Sequence, residues 1–83
     1  MNLLNKKEIE KKVISIFAII LNVEEKKLNM KSSPDNTSEW DSLNHIKIIM
    51  ELENTFNLEV LPEESIEIFT IEDACSILEK KLN

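Results

Sequence analysis

Apolar positions near the start of the chain fall at helical spacing. Ile9, Val13, Ile16, Phe17 and Ile20 recur three or four residues apart, which puts them on one face of a helix. Asn5 stands where an N-cap belongs, Glu8 can complete a capping box, and Leu4 with Ile9 can form a hydrophobic staple. The pattern predicts a first helix from about Lys6 to Leu21. Periodicity then lapses from residue 22 to residue 41, where "KSSPDNTSEWD" is rich in Ser, Asp, Asn and Pro and reads as a long loop. Loops of this length in a small domain tend to be functional or disordered.

A second helix carries Leu43, Ile46, Ile49, Met50, Leu52 and Phe56. Its apolar surface is wider than one buried stripe needs, which leaves part of it for a ligand or partner. Pro62 ends the pattern, and "EESIEIF" is long enough for one or two turns. Thr70, with Asp73 three residues on, marks the start of a last helix whose apolar face is Ile71, Ala74, Cys75, Ile77, Leu78 and Leu82. The fold predicted is all-α: a small antiparallel four-helix bundle of three longer helices and one short one, with a long loop between helices one and two.

Composition narrows this further. The 83 residues suit one domain, 1–83, and the absence of Gly and scarcity of aromatics fit helices better than strands. A net charge of −6 argues against nucleic acid, which is bound through excess Lys and Arg. One cysteine, Cys75, forms no intramolecular disulfide, and no metal-ligand set accompanies it. Lys6, Lys7, Lys11 and Lys12 before "VISIFAIIL" resemble a secretory signal superficially. Glu8 and Glu10 interrupt the charge, no small-residue cleavage site follows, and the run is too short to span a bilayer. No membrane insertion is expected, and a reducing cytoplasm is compatible with the single thiol.

Ser42 opens helix two between Asp41 and Leu43. The plain reading of such a serine is an N-cap, worth about 1 kcal/mol. The surrounding stretch changes that weighting. "WDSLNHIKIIMELENTF" followed by "LEVLPEESIEIFTIEDACSILEKKL" resembles the acyl carrier protein family, as does the "LNVEEKKLN" exit from helix one. The resemblance runs from about Asn5 to Leu82. It implies that Ser42, in Asp-Ser-Leu, carries a 4′-phosphopantetheine arm taken from coenzyme A. It also implies a phosphopantetheinyl transferase and acyl-loading and acyl-consuming enzymes as partners, and a carrier rather than an enzyme. A phosphodiester at a helix start suits the unpaired N–H groups and positive dipole end found there.

Carried over by position, Lys47, Met50 and Glu53 lie on the partner-facing side of helix two, near Asp41 and Leu43. Ile46, Ile49, Leu52, Val60 and Ile68 would line an acyl pocket between helices two and three, or simply pack the core. Two features depart from the usual fatty-acid type: Asn44, His45 and Lys47 replace expected carboxylates, and "SEW" replaces Leu-Gly before the motif. They point to a specialised pathway rather than housekeeping synthesis. His45, the only histidine, lacks a third group and oxyanion donors for hydrolysis and is expected to be exposed or lightly packed. Trp40 is expected to anchor the loop, and Cys75 to act as a small buried hydrophobe.

Two alternatives stand beside the acyl carrier. One is a carrier of aminoacyl or other short acyl groups in nonribosomal or polyketide-like assembly, against which Asp41 weighs because such carriers more often show Gly-Gly before the serine. The other is an unmodified helical module that binds partners through helix two. A small acidic carrier that visits several partners is most simply a monomer.

Overall fold

The computed structural model describes residues 5–82. Four α-helices follow one another: α1 (Lys6–Leu21), α2 (Ser42–Phe56), α3 (Pro62–Ser65) and α4 (Ile71–Leu82), with a 3-10 turn at Glu25–Lys27 inside the long connection. No strand occurs among the described residues. The architecture is a small all-α bundle, as the periodicity predicts.

The local stop and start signals work as expected at both outer helices. Glu8 N–H donates to Asn5 Oδ1 (2.8 Å) and Asn5 N–H to Glu8 Oε1 (3.0 Å), a reciprocal capping box. The suggested staple partner Leu4 lies outside the described residues. At α4, Asp73 N–H donates to Thr70 Oγ1 and Thr70 N–H to Asp73 Oδ2, both at 3.0 Å. The chain has no glycine, so asparagine takes the left-handed positions that end helices: Asn22 (φ 59°) after α1 and Asn57 (φ 54°) after α2.

The core gathers Ile9, Val13, Ile16, Phe17, Ala18 and Leu21 from α1 with apolar residues of α2 and α4, and α1 packs against both of those helices. Ile71, Ala74, Cys75 and Leu78 of α4 are buried, while Ile77 and Leu82 pack at its edge. On α2 the wide apolar surface divides in two. Ile48, Ile49, Leu52 and Phe56 face the core, whereas Leu43, Ile46 and Met50, three and four residues apart, form an exposed stripe on the other side.

The long connection is ordered by its own polar side chains. Asn29 N–H donates to Ser32 Oγ (2.9 Å) and Ser33 N–H to Asn36 Oδ1 (2.9 Å), and both serines are buried. Its carbonyls then meet the start of α4: Ile71 N–H donates to Ser32 O (3.1 Å) and Glu72 N–H to Met30 O (3.0 Å). The segment that lacks periodicity is thereby tied to the bundle through backbone groups, which leave no trace in a hydropathy pattern.

Candidate functional site at the start of α2

The loop delivers its last residues to α2 through Trp40, which is buried with its ring edge-on to Phe17 of α1 (centroids 4.9 Å apart). Asp41 follows as the N-cap. Its backbone is extended and its Oδ1 accepts from Asn44 N–H at 2.8 Å. The capping role therefore falls to Asp41 and not to Ser42, which is the first helical residue. Asp41 is one residue further from the helix and so reaches the N–H of residue 44, the geometry an N-cap carboxylate requires.

Ser42 is exposed, and its hydroxyl has no hydrogen-bond partner among the described residues. The backbone N–H groups of Ser42 and Leu43 are also unpartnered, in contrast to the start of α4, where the loop carbonyls and Thr70 occupy the first three N–H groups. The beginning of α2 thus presents a free hydroxyl beside two open donors and the positive end of the helix dipole.

A cleft of about 530 Å³ lies against Ser42, lined by Pro34, Trp40, Asp41, His45, Ile46, Ser65, Ile66 and Ile68. Of the five residues assigned by resemblance to an acyl pocket, Ile46 and Ile68 border this cleft, Ile46 from its exposed side of α2. Ile49, Leu52 and Val60 lie in the packed core. Pro34, Ser65 and Ile66 carried no signal in the sequence, because only the tertiary fold brings them beside residue 42.

His45 is half-buried, and it is held at both ring nitrogens, which the sequence does not foretell. Its Nδ1 accepts from Trp40 Nε1–H (3.0 Å), which leaves the proton on Nε2 to be shared between the Ser65 carbonyl oxygen (3.0 Å) and Ser65 Oγ (3.3 Å). The imidazole lies parallel to the indole, with centroids 6.0 Å apart. Both ring nitrogens are used in holding elements together, so the imidazole has no role as a base toward Ser42. At the far side of α3, Lys81 Nζ meets Glu64 Oε1 at 2.8 Å, and Leu61 N–H donates to the same oxygen at 2.8 Å. The Lys81 hydrogen bond, then that of Leu61, holds the Glu64 carboxyl below its ordinary range.

Lys47, Met50 and Glu53 share an open groove of about 660 Å³ with Ile20, Glu51 and Asn54. Lys47 and Met50 are exposed, whereas Glu53 is half-buried and its Oε2 accepts from Val60 N–H (2.9 Å), bracing the turn after α2. Cys75 lies in the core on the far helix, and burial, reinforced by the charges of Glu10, Glu79 and Glu72, pushes its thiol up to about 12. It is an inert packing residue. No cluster of metal-ligating side chains exists among the described residues.

No protein-family model matches the chain, but known relatives do. It is 36% identical over 75 residues to an acyl carrier protein of Porphyromonas gingivalis, spanning 90% of this chain and 96% of that one. An acyl carrier protein of Azobacteroides pseudotrichonymphae is 35% identical over 77 residues, 92% of this chain and 91% of the relative. One from Rubrobacter xylanophilus is 37% identical over 71 residues, 86% and 88% of the two chains. This chain belongs to the acyl carrier protein family. It is accordingly a carrier and not a catalyst, and membership implies a phosphopantetheine prosthetic group and dealings with acyl-handling enzymes.

Proposed function

We propose that Ser42 is the attachment point of 4′-phosphopantetheine and that the chain, a single carrier domain over 1–83, presents acyl groups to the enzymes of a specialised pathway in the cytoplasm. The group supplies a thiol on a long flexible arm, on which an acyl chain is held as a thioester. The observation that carries the reading is the division of labour between neighbours: Asp41 takes the cap, and the Ser42 hydroxyl is left exposed and unbonded. The open N–H groups of Ser42 and Leu43 suit a phosphodiester, since anions gain at helix N-termini.

In the loading step Ser42 Oγ attacks the phosphorus that bears the pantetheine chain in coenzyme A. A new O–P bond forms, the bond to the bridging pyrophosphate oxygen breaks, and adenosine 3′,5′-bisphosphate leaves. The hydroxyl proton passes to a base of the transferase, because His45 has both nitrogens engaged. Lys47 and Met50, with the braced Glu53 behind them, form the face offered to loading and consuming enzymes. The carrier works as a monomer.

The test is intact-protein mass spectrometry after incubation with coenzyme A and a phosphopantetheinyl transferase of broad specificity. Wild type should gain the mass of one phosphopantetheine, and Ser42→Ala none. An unmodified wild type would return the chain to a helical interaction module, and a modified Ser42→Ala would place the arm elsewhere.

A further inference from the structure

The four residues of α3 include none that is buried, and Ile66, just after it, is 83% exposed. Apolar packing does not hold this segment down until Ile68, which is buried. Its attachments within the bundle are polar: Ser65 to His45 at one side and Glu64 to Lys81 at the other. The His45 attachment continues inward through Trp40 to Phe17 in the core. A connected series therefore runs from α1 through the loop and α2 to α3, and His45 is its only member with a polar bond on each side.

The position of His45 on α2 matters as much as its bonds. Ser42, His45, Ile49 and Leu52 recur at three- and four-residue spacing and share one face of the helix. With about 1.5 Å of rise per residue, Ile49 lies about 10 Å along the axis from Ser42, with His45 between them. A chain that left Ser42 and ran along this face toward Ile49 and Leu52 would have to pass the bond from His45 to Ser65. A chain that instead lay over Ile46 and Ile66 would stay in the surface cleft and leave that bond intact.

We infer that His45 is a specificity-determining positioning residue: its clasp between Trp40 and Ser65 keeps the carried group in the surface cleft beside Ser42 and so restricts the protein to short acyl chains. This rests on the carrier reading of Ser42. The polar pair at the back of the cleft, Ser65 Oγ and the imidazole edge, adds a reason for a short occupant, since a long alkyl chain threaded past them would strand both without partners. Opening the clasp removes the barrier and exposes the faces of Ile49 and Leu52 to the carried chain.

The experiment loads the full-length protein from butanoyl-, octanoyl- and dodecanoyl-coenzyme A with the broad-specificity transferase and verifies each product by mass before anything else is measured. A failure to load concerns Ser42 and is seen at that stage. For each loaded form the melting temperature is taken relative to the same variant carrying unacylated phosphopantetheine, so that any general destabilisation cancels. In wild type, the butanoyl and octanoyl forms should differ little and the dodecanoyl form should gain nothing further. In His45→Ala the dodecanoyl form should gain about 4 °C or more over the butanoyl form, with methyl NMR shifts at Ile49 and Leu52 that wild type lacks. His45→Gln, which keeps a donor toward Ser65, should restore the wild-type pattern; if His45→Ala does not fold, His45→Leu, which fills the space without a donor, takes its place and should show the same dodecanoyl gain. A wild-type melting temperature that climbs steadily with chain length, or a chain-length response identical in wild type and the donor-free variant, would overturn the inference.

Discussion

Asp41 and Ser42 show how a shift of one residue separates support from chemistry. The carboxylate, at the N-cap, is consumed by Asn44 N–H; the hydroxyl, at the first helical position, points to solvent without a partner. Cys75 is the opposite case, a chemically capable thiol made inert by its surroundings. Its proton is retained to about 12 because burial, and then three nearby carboxylates, disfavour the thiolate. Iodoacetamide at about pH 8 should therefore leave Cys75 unlabelled in the folded protein and label it only in denaturant, where the thiol returns to its ordinary range. Mass spectrometry with and without urea reads the difference. The same shift makes stability pH-dependent. Above the unfolded value of 9.0 the unfolded chain has lost the thiol proton while the folded chain keeps it, so stability falls as pH rises toward 12. The loss attributable to this group is about 1 kcal/mol near pH 10. Urea midpoints of wild type and Cys75→Ala across that range should converge as pH rises. Parallel lines would mean that the thiol is not shielded.

Among the elements, the two long helices before the cleft end on asparagine because the chain has no glycine to supply a left-handed residue. Asn57 is the more consequential, since the turn it starts is braced by Glu53 through Val60 N–H and leads directly to α3. Asn57→Ala should cost about 1 kcal/mol, the penalty of a Cβ in the left-handed region without a polar side chain that tolerates it. Asn57→Gly should match or exceed wild type. Thermal melts of the three proteins decide it, and an alanine variant as stable as wild type would show that the left-handed turn is not required. The short α3 differs in kind from its neighbours. It is held by an ion pair and a histidine rather than by buried side chains, so it is the part of the bundle best suited to shift when the occupant of the cleft changes.

For the molecule as a whole, a net charge of −6 would favour partners with basic surfaces at long range. The surface around Ser42 is not itself strongly acidic. Leu43, Ile46 and Met50 make an exposed apolar stripe, and Lys47 adds a positive charge beside it. A partner that reads this face needs apolar contact and tolerance of a cation rather than a cluster of Arg and Lys. Enzymes of housekeeping fatty-acid synthesis should therefore bind the loaded protein at least about tenfold more weakly than they bind the cell's ordinary carrier, a difference of about 1.4 kcal/mol. Equal affinities in a calorimetric or surface-binding assay would remove the case for a specialised pathway.

The sequence by itself determined what depends on neighbours three or four residues apart. The bounds of α1, the capping boxes of Asn5 with Glu8 and Thr70 with Asp73, and the burial of Cys75 on the apolar face of α4 were legible in it, because helix periodicity and capping are local interactions. The cap of α2 is Asp41 rather than the serine beside it, and cap preference alone does not choose between them because Asp and Ser are both good N-caps. Contacts between distant segments were decided only by the tertiary structure. The carbonyls of Met30 and Ser32 meet α4 forty residues along the chain, and His45 reaches Ser65 twenty residues away. Hydropathy says nothing about either, because backbone groups are the same in every residue and a lone histidine signals no partner until the fold supplies one.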